Sequence, residues 1–195
     1  MKNMNLRTIG LAVALGLGSV AMVGCTTTTK QSQAAPATSR AAMETAVNET
    51  LSRLYSTVPG TREMVDKAAG VLVFPAVVGG SFVVGADHGK GALRVGGKTE
   101  NYYSTTGASV GWQAGGQSRA VVYVFNTADA LAKFRSSKGW TADADATVAV
   151  GTVGANGHVD TQTLQKPVSS FVMTNVGLEA GVSLGGSKIT QVALP

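Results

Sequence analysis

The apolar residues of this chain change their spacing at Gly70, and that change constrains the fold more than any other feature. Before Gly70 they recur at steps of three or four, as on one side of an α-helix: Met43, Val47, Leu51, Leu54 and Val58. After Gly70 they alternate at every second residue, in short runs separated by glycine pairs, which is typical of strands. Most connections are too short for parallel crossovers. The sequence therefore predicts an α+β fold with a mainly antiparallel sheet, flanked by an N-terminal helix and a few short helices. A barrel-like curvature of this sheet is compatible with the same pattern.

Local signals predict where these elements begin and end. Ser39 can cap a helix that runs to about Val58, where Pro59-Gly60 stops it. The same capping rules predict two more helices: a short helix from Arg62 to Ala69, capped by Thr61, and a helix capped by Asn126 or Thr127 that ends near Gly139. Turn rules predict a strand from Val71 to Phe74 that ends at Pro75, and a turn at Asp87-His88-Gly89 before a strand from Ala92 to Val95. They also predict a hairpin of Thr147 to Val153 with His158 to Thr163, closed by Asn156-Gly157.

The apolar stripe of the first helix has two interpretations. It could bind a membrane as an amphipathic surface, or it could pack on the sheet of its own domain. Basic residues along this region are offset by acidic ones, so packing is the preferred prediction. The offsetting residues are Arg40, Arg53 and Arg62 against Glu44, Glu49 and Glu63.

The first 24 residues resemble a bacterial lipoprotein signal peptide. Lys2 and Arg7 form a positive start, and Ile9 to Val20 is an apolar stretch too short to span a bilayer. Small or apolar residues then lead to Cys25, the only cysteine of the chain, in a pattern that resembles a lipobox. The alternative is an ordinary signal peptide with an incidental cysteine. We expect cleavage after Gly24 and lipid attachment to Cys25.

The predicted organisation is a signal peptide (1–24), a lipidated cysteine with a flexible tether (25–38) and one domain (39–195). The tether contains no large apolar residue, and its coil span would be on the order of 20 Å. Without Lys2 and Arg7 the chain has 14 basic residues against 11 acidic ones, a net charge of +3. That charge is a weak bias towards anionic partners and does not indicate nucleic-acid binding.

Several blocks of the domain, in their order, resemble the SYLF family over roughly Ala41 to Val192. They are Ala69 to Pro75 with the glycine-spaced segment to Gly91, Gly107 to Gly116, Asn126 to Phe134, Ala142 to Ala149 and Gly177 to Gly186. The resemblance implies lipid binding, phosphoinositides included in eukaryotic members, some of which are linked to actin. The first helix here is nearly neutral, unlike the basic helix associated with phosphoinositide binding. The expectation carried over is therefore generic phospholipid affinity.

Motifs that suggest catalysis or metal binding lack their structural context. Ser109 and Ser183 both lie in G-x-S-x-G segments, but neither segment leads from a strand into a helix, as a nucleophile elbow requires. His88 and His158 are the only histidines, and a metal site needs three or four convergent ligands. Asp143-Ala144-Asp145 starts like a calcium loop that does not continue. We expect no catalytic residues, no metal and no cofactor.

The candidate headgroup site is basic. Lys90 and Arg94 are four residues apart on a predicted strand, and so share a face opposite Leu93 and Val95. Lys98 joins them only if Gly96-Gly97 does not turn the chain. Each such residue near an anionic surface contributes on the order of 1 kcal/mol. A solvated strand face is the alternative interpretation of the same residues.

The sequence thus predicts a non-enzymatic bacterial lipoprotein whose domain binds phospholipids, anionic ones above all. Because Thr26 and not Asp follows Cys25, we expect the periplasmic face of the outer membrane. The alternative function is a structural envelope lipoprotein that binds another envelope protein or itself.

Overall fold

The computed structural model describes residues 39–81, 84–110, 115–142, 144–145, 148–151, 158–160, 163, 165–174, 177–179 and 186–195. Its helices in these ranges are α1 (Arg40–Thr57), α2 (Thr61–Lys67) and α3 (Ala128–Ser136). Its strands there are β1 (Gly70–Ser81), β2 (Val84–Val95), β3 (Lys98–Val110), β4 (Gly115–Phe125), β5 (Trp140–Thr141), β6 (Val148–Val150), β7 (Val168–Thr174), β8 (Gly177–Glu179) and β9 (Lys188–Val192).

The strands form one strongly curled, half-barrel sheet. Its order is β5-β9-β3-β2-β1-β4-β7-β6, and β8 also pairs with β7. Every pair among the described strands is antiparallel except β6 with β7, which is parallel. This topology confirms the predicted α+β fold with a mainly antiparallel sheet.

Helix α1 lies against one face of the sheet, called the α1 face below. Ser39 caps the helix, since its Oγ accepts a hydrogen bond from Ala42 N at 3.3 Å. The predicted apolar stripe is buried against strand residues that include Val71, Val73 and Phe171. Each large apolar side chain buried in this way contributes about 2 kcal/mol. The packing interpretation of the stripe is therefore confirmed.

Helix α3 covers the opposite face, called the α3 face. An aromatic core fills the space beneath it, with ring centroids of Phe125 and Phe134 4.9 Å apart and those of Tyr123 and Trp140 5.6 Å apart. Thr127 caps α3 as predicted, because its Oγ1 accepts from Ala130 N at 3.2 Å. The described members of both cores lie between Met43 and Leu194, so the chain from Ser39 onward contains a hydrophobic core.

Three predicted boundaries were wrong. Strand β1 continues through Pro75, because the register shifts between Val73 and Ala76, and such a bulge tolerates a residue without an N–H donor. Asp87-His88-Gly89 lies within β2 and is not a turn. Thr61 is the first residue of α2, not its cap: Gly60 occupies the cap position, and the Thr61 hydroxyl donates to the carbonyl of Val58 at 2.7 Å.

The predicted hairpin near the C-terminal third is also not found in the described residues. Strand β6 pairs in parallel with β7, Val148 opposite Val168, and not with His158 to Thr163. A parallel partner about twenty residues away leaves no local turn signal in the sequence. Asn156-Gly157, the expected turn, lies outside the residues that the structure describes.

Candidate functional site

A row of paired residues crosses the α1 face of the sheet. In register from β9 to β4, the row consists of Lys188, Thr106, His88, Val78 and Ser118. Lys90 follows His88 by two residues on β2 and so lies on the same face, paired with Ser104 of β3 and Ala76 of β1. We call these residues the basic row, from its two lysines.

The basic row is open to solvent. His88, Thr106 and Lys188 are exposed and Lys90 is half-buried. Val78 is 41% exposed, and among the described residues no other large apolar side chain is classed as exposed. Among the described residues, neither lysine lies within ion-pair distance of a carboxylate. The row therefore combines two lysines that have no carboxylate partner among the described residues with an apolar contact on a surface of small side chains.

Arg94 shares the face of Lys90, as predicted, but its guanidinium is engaged with α1. It lies 2.8 Å from Glu44 Oε2 and donates to Asn48 Oδ1 at 2.7 Å, and its side chain is only 13% exposed. Burial raises the pKa of the Glu44 carboxyl, but hydrogen bonds and the charge of Arg94 outweigh this effect, so the pKa lies below its usual value. Arg94 holds α1 on the sheet, and reversing its charge would affect stability as well as binding.

Lys98 does not join the other two. Gly96 and Gly97 have positive φ of 56° and 78°, as a tight hairpin turn between β2 and β3 requires. Lys98 therefore starts β3 opposite Val95. Because directly paired residues point to the same side and Val95 packs on the aromatic core, Lys98 lies on the α3 face.

Lys188 is the second lysine of the row, and sequence reasoning missed it. It lies far from Lys90 in the chain and is brought near it only by the pairing of β9 with β3. From the strand spacing, the two Cα atoms are about 12 Å apart. No local pattern around Lys188 signals this position, since long-range pairing creates it.

A second polar group lies on the α3 face of the same strands. The Arg119 guanidinium contacts the Asp87 carboxylate at 2.5 Å, and the two side chains are 22% and 10% exposed. Gly79 leaves room for this carboxylate, because a Cβ there would lie 1.8 Å from Asp87 Oδ1. The cleft beside the pair has a volume of about 10 Å³, room for one water molecule. This arrangement is an internal ion pair and not a ligand pocket.

A larger groove of about 400 Å³ lies beside α2. Its described lining is one side of the helix together with a short facing segment: Gly60, Glu63, Met64, Lys67, Ala68, Asn126, His158 and Val159. Asn126 follows the end of β4, whereas Ser118 of the basic row lies towards the start of that strand. The groove and the basic row are therefore at opposite ends of β4.

The catalytic and metal motifs gain no support from their positions. Ser109 lies inside β3, opposite Gly85 of β2, and not at a strand-to-helix turn. No group of three or more potential metal-ligating side chains occurs in the described part of the chain. Within that part, no helix is long and apolar enough to cross a bilayer. Cys25, Ser183 and Asp143 lie outside the described residues.

Comparison with known proteins found one family match. Residues 106–193, from within β3 to the residue after β9, match the family model described as Ysc84, Las17-binding protein actin regulator. Residues 106–193 are therefore similar to this family, and the match is consistent with a SYLF-type domain. The resemblance predicted from the sequence blocks is thus confirmed. Comparison with curated proteins found no match.

Proposed function

We propose that this chain is a lipid-anchored bacterial envelope protein whose SYLF domain binds anionic phospholipid through the basic row. The observation that carries the proposal is the pair of lysines, Lys90 and Lys188, which have no carboxylate partner in the described part of the chain and lie beside the exposed Val78. A headgroup phosphate complements the lysines, and Val78 can contact the apolar part of the interface. Lysine charges near an anionic bilayer contribute about 1 kcal/mol each. The resemblance to the SYLF family, which implies lipid binding and agrees with the family-model match over residues 106–193, supports the same proposal.

The proposal includes no catalysis and no actin binding. The position of Ser109 within a strand supports a binding role, since a nucleophile elbow needs a sharp turn into a helix. The family description names actin regulation, but a lipoprotein on the periplasmic face of the outer membrane would meet no actin. Self-association or binding of an envelope protein is the alternative role. Vesicle binding in the experiment below supports the lipid role, and its absence supports this alternative.

The anchor proposal predicts the behaviour of Cys25→Ser. Because Cys25 is the only thiol of the chain, this substitution should abolish acyl labelling and release the protein from the membrane fraction. The measurement is metabolic labelling with a fatty-acid analogue followed by membrane fractionation. Thr26→Ser, which keeps the thiol, is the matched control and should remain labelled. Acylation that persists in Cys25→Ser would show that the anchor assignment is wrong.

The vesicle prediction concerns the basic row. The chain from Ser39 to Pro195 should bind vesicles containing phosphatidylglycerol, and bind neutral phosphatidylcholine vesicles less well. Lys90→Glu with Lys188→Glu should weaken binding to the anionic vesicles at least tenfold at low salt, since 1.4 kcal/mol corresponds to a factor of ten. Added salt should weaken the binding of the parent chain, because exposed charges are screened over about 8–10 Å. Flotation with a range of lipid concentrations measures these affinities.

Two control variants make this experiment specific. Lys133→Glu changes the charge on exposed α3 and should leave binding within twofold of the parent, after correction for net charge. Lys98→Glu tests the sequence-based grouping of Lys98 with Lys90: we expect a small effect, because the Gly96-Gly97 turn places Lys98 on the other face. If the parent ignores every vesicle at low salt, the lipid proposal is wrong and a protein partner replaces it.

A further inference from the structure

The groove beside α2 has walls that are fixed by hydrogen bonds. Val159 N donates to the carbonyl of Pro59 at 3.1 Å, which holds one wall against the turn before α2. Ala69 N donates to the carbonyl of Phe125 at 2.9 Å, which holds the end of α2 at the end of β4. The Asn126 amide donates to the carbonyl of Lys166 at 2.7 Å. The groove is therefore preformed, and a ligand would bind without the cost of ordering it.

The floor of the groove is apolar and its rim is charged. Met64 and Val159 are 6% and 7% exposed, and Ala68 lies between the floor and solvent. At the rim, Lys67 Nζ lies 2.6 Å from Glu63 Oε1, but both side chains are nearly three-quarters exposed. Such a solvent-exposed pair contributes little to stability, because water screens both charges. The Lys67 ammonium can therefore turn to another anion at little cost.

We propose that the α2 groove binds a fatty acid, with the hydrocarbon chain on Met64, Ala68 and Val159 and the carboxylate at Lys67. A volume of about 400 Å³ is in the lower part of the range for small-ligand sites. It fits one acyl chain and not the two chains of a phospholipid. This site goes beyond the phospholipid surface proposed above, since it uses other residues at the other end of β4.

Titration calorimetry with dodecanoate below its critical micelle concentration tests the proposal. The chain from Ser39 to Pro195 should bind one dodecanoate, and should bind dodecyltrimethylammonium, with the same chain and a positive head, at least tenfold more weakly. Ala68→Phe fills the groove from a half-exposed position and should reduce dodecanoate affinity at least tenfold. Lys67→Met should reduce it about fivefold, on the order of 1 kcal/mol for one exposed charge, and should not weaken binding of the cationic probe.

The controls separate this site from the basic row. Lys133→Met removes an exposed lysine from α3 and should leave dodecanoate affinity unchanged. Ala68→Phe should keep the vesicle binding of the parent chain, and Lys90→Glu with Lys188→Glu should keep its dodecanoate binding. Absence of dodecanoate binding in the parent overturns the proposal. The proposal is also overturned if a folded Ala68→Phe variant binds dodecanoate as tightly as the parent. If Ala68→Phe does not fold, parent-like dodecanoate affinity in Lys67→Met, a change at an exposed residue, overturns it.

Discussion

Arg119→Met should lower the free energy of unfolding by about 3 kcal/mol. The substitution removes the partner that contacts the Asp87 carboxylate at 2.5 Å and leaves that carboxylate largely buried on the α3 face. The cost arises mainly because a largely buried carboxylate loses its contact with the Arg119 guanidinium. Chemical denaturation at neutral pH, with the midpoint and slope fitted together, measures the effect.

A double-variant cycle tests that explanation. Asp87→Asn keeps the size of the side chain and removes its charge, so Arg119→Met combined with Asp87→Asn should be more stable than Arg119→Met alone. We expect a recovery of about 1–2 kcal/mol, within the range of coupling energies for contacting residues. A loss below about 1 kcal/mol in Arg119→Met would mean that the pair behaves as an ordinary surface ion pair, contrary to its burial.

Gly91→Ala should also destabilise the fold by about 3 kcal/mol. Gly91 lies opposite the bulge of β1, and a Cβ there would be 2.3 Å from the carbonyl oxygen of Val73 and 2.6 Å from Phe74 Cδ1. Because the first of these atoms belongs to the backbone, no rotamer change can relieve the contact, and the strands must separate. Thermal unfolding followed by circular dichroism measures the loss.

Gly139→Ala is the matched control for Gly91→Ala. A Cβ at Gly139 would meet Lys188 Cε at 2.9 Å, near the far end of an exposed and flexible side chain that can move away. Its stability should remain within about 0.5 kcal/mol of the parent. Equal losses in the two variants would show that the tight approach of β1 and β2 at Gly91 does not determine the effect.

Features that depend on neighbouring residues could be predicted from the sequence. Helix α1 and its cap follow from Ser39 and a stripe with helical spacing, which require no knowledge of the sheet. The shared face of Lys90 and Arg94 follows equally from strand alternation. The fold class was correct for the same reason, since short connections between alternating runs favour antiparallel pairing.

Features that depend on distant residues could not be predicted in this way. The Asp87-His88-Gly89 segment has the composition of a turn, but Asp87 gains Arg119 as a partner across the sheet, and tertiary contacts override local propensity. Arg94 looked like a free cation because Glu44 and Asn48 come from a helix about fifty residues earlier. Lys188 enters the basic row only through the pairing of β9 with β3.

The first and last described residues of the domain meet at the start of α1. Arg40 N donates to the carbonyl of Pro195 at 3.3 Å, and Arg40 Nε donates to the carbonyl of Leu194 at 3.0 Å. Tension applied through the chain before Ser39 therefore acts first on this junction and next on the Arg94–Glu44 pair. Because α1 precedes every described strand in the chain, such tension reaches the packing of α1 on the sheet before it reaches the pairing of β1 with its neighbours.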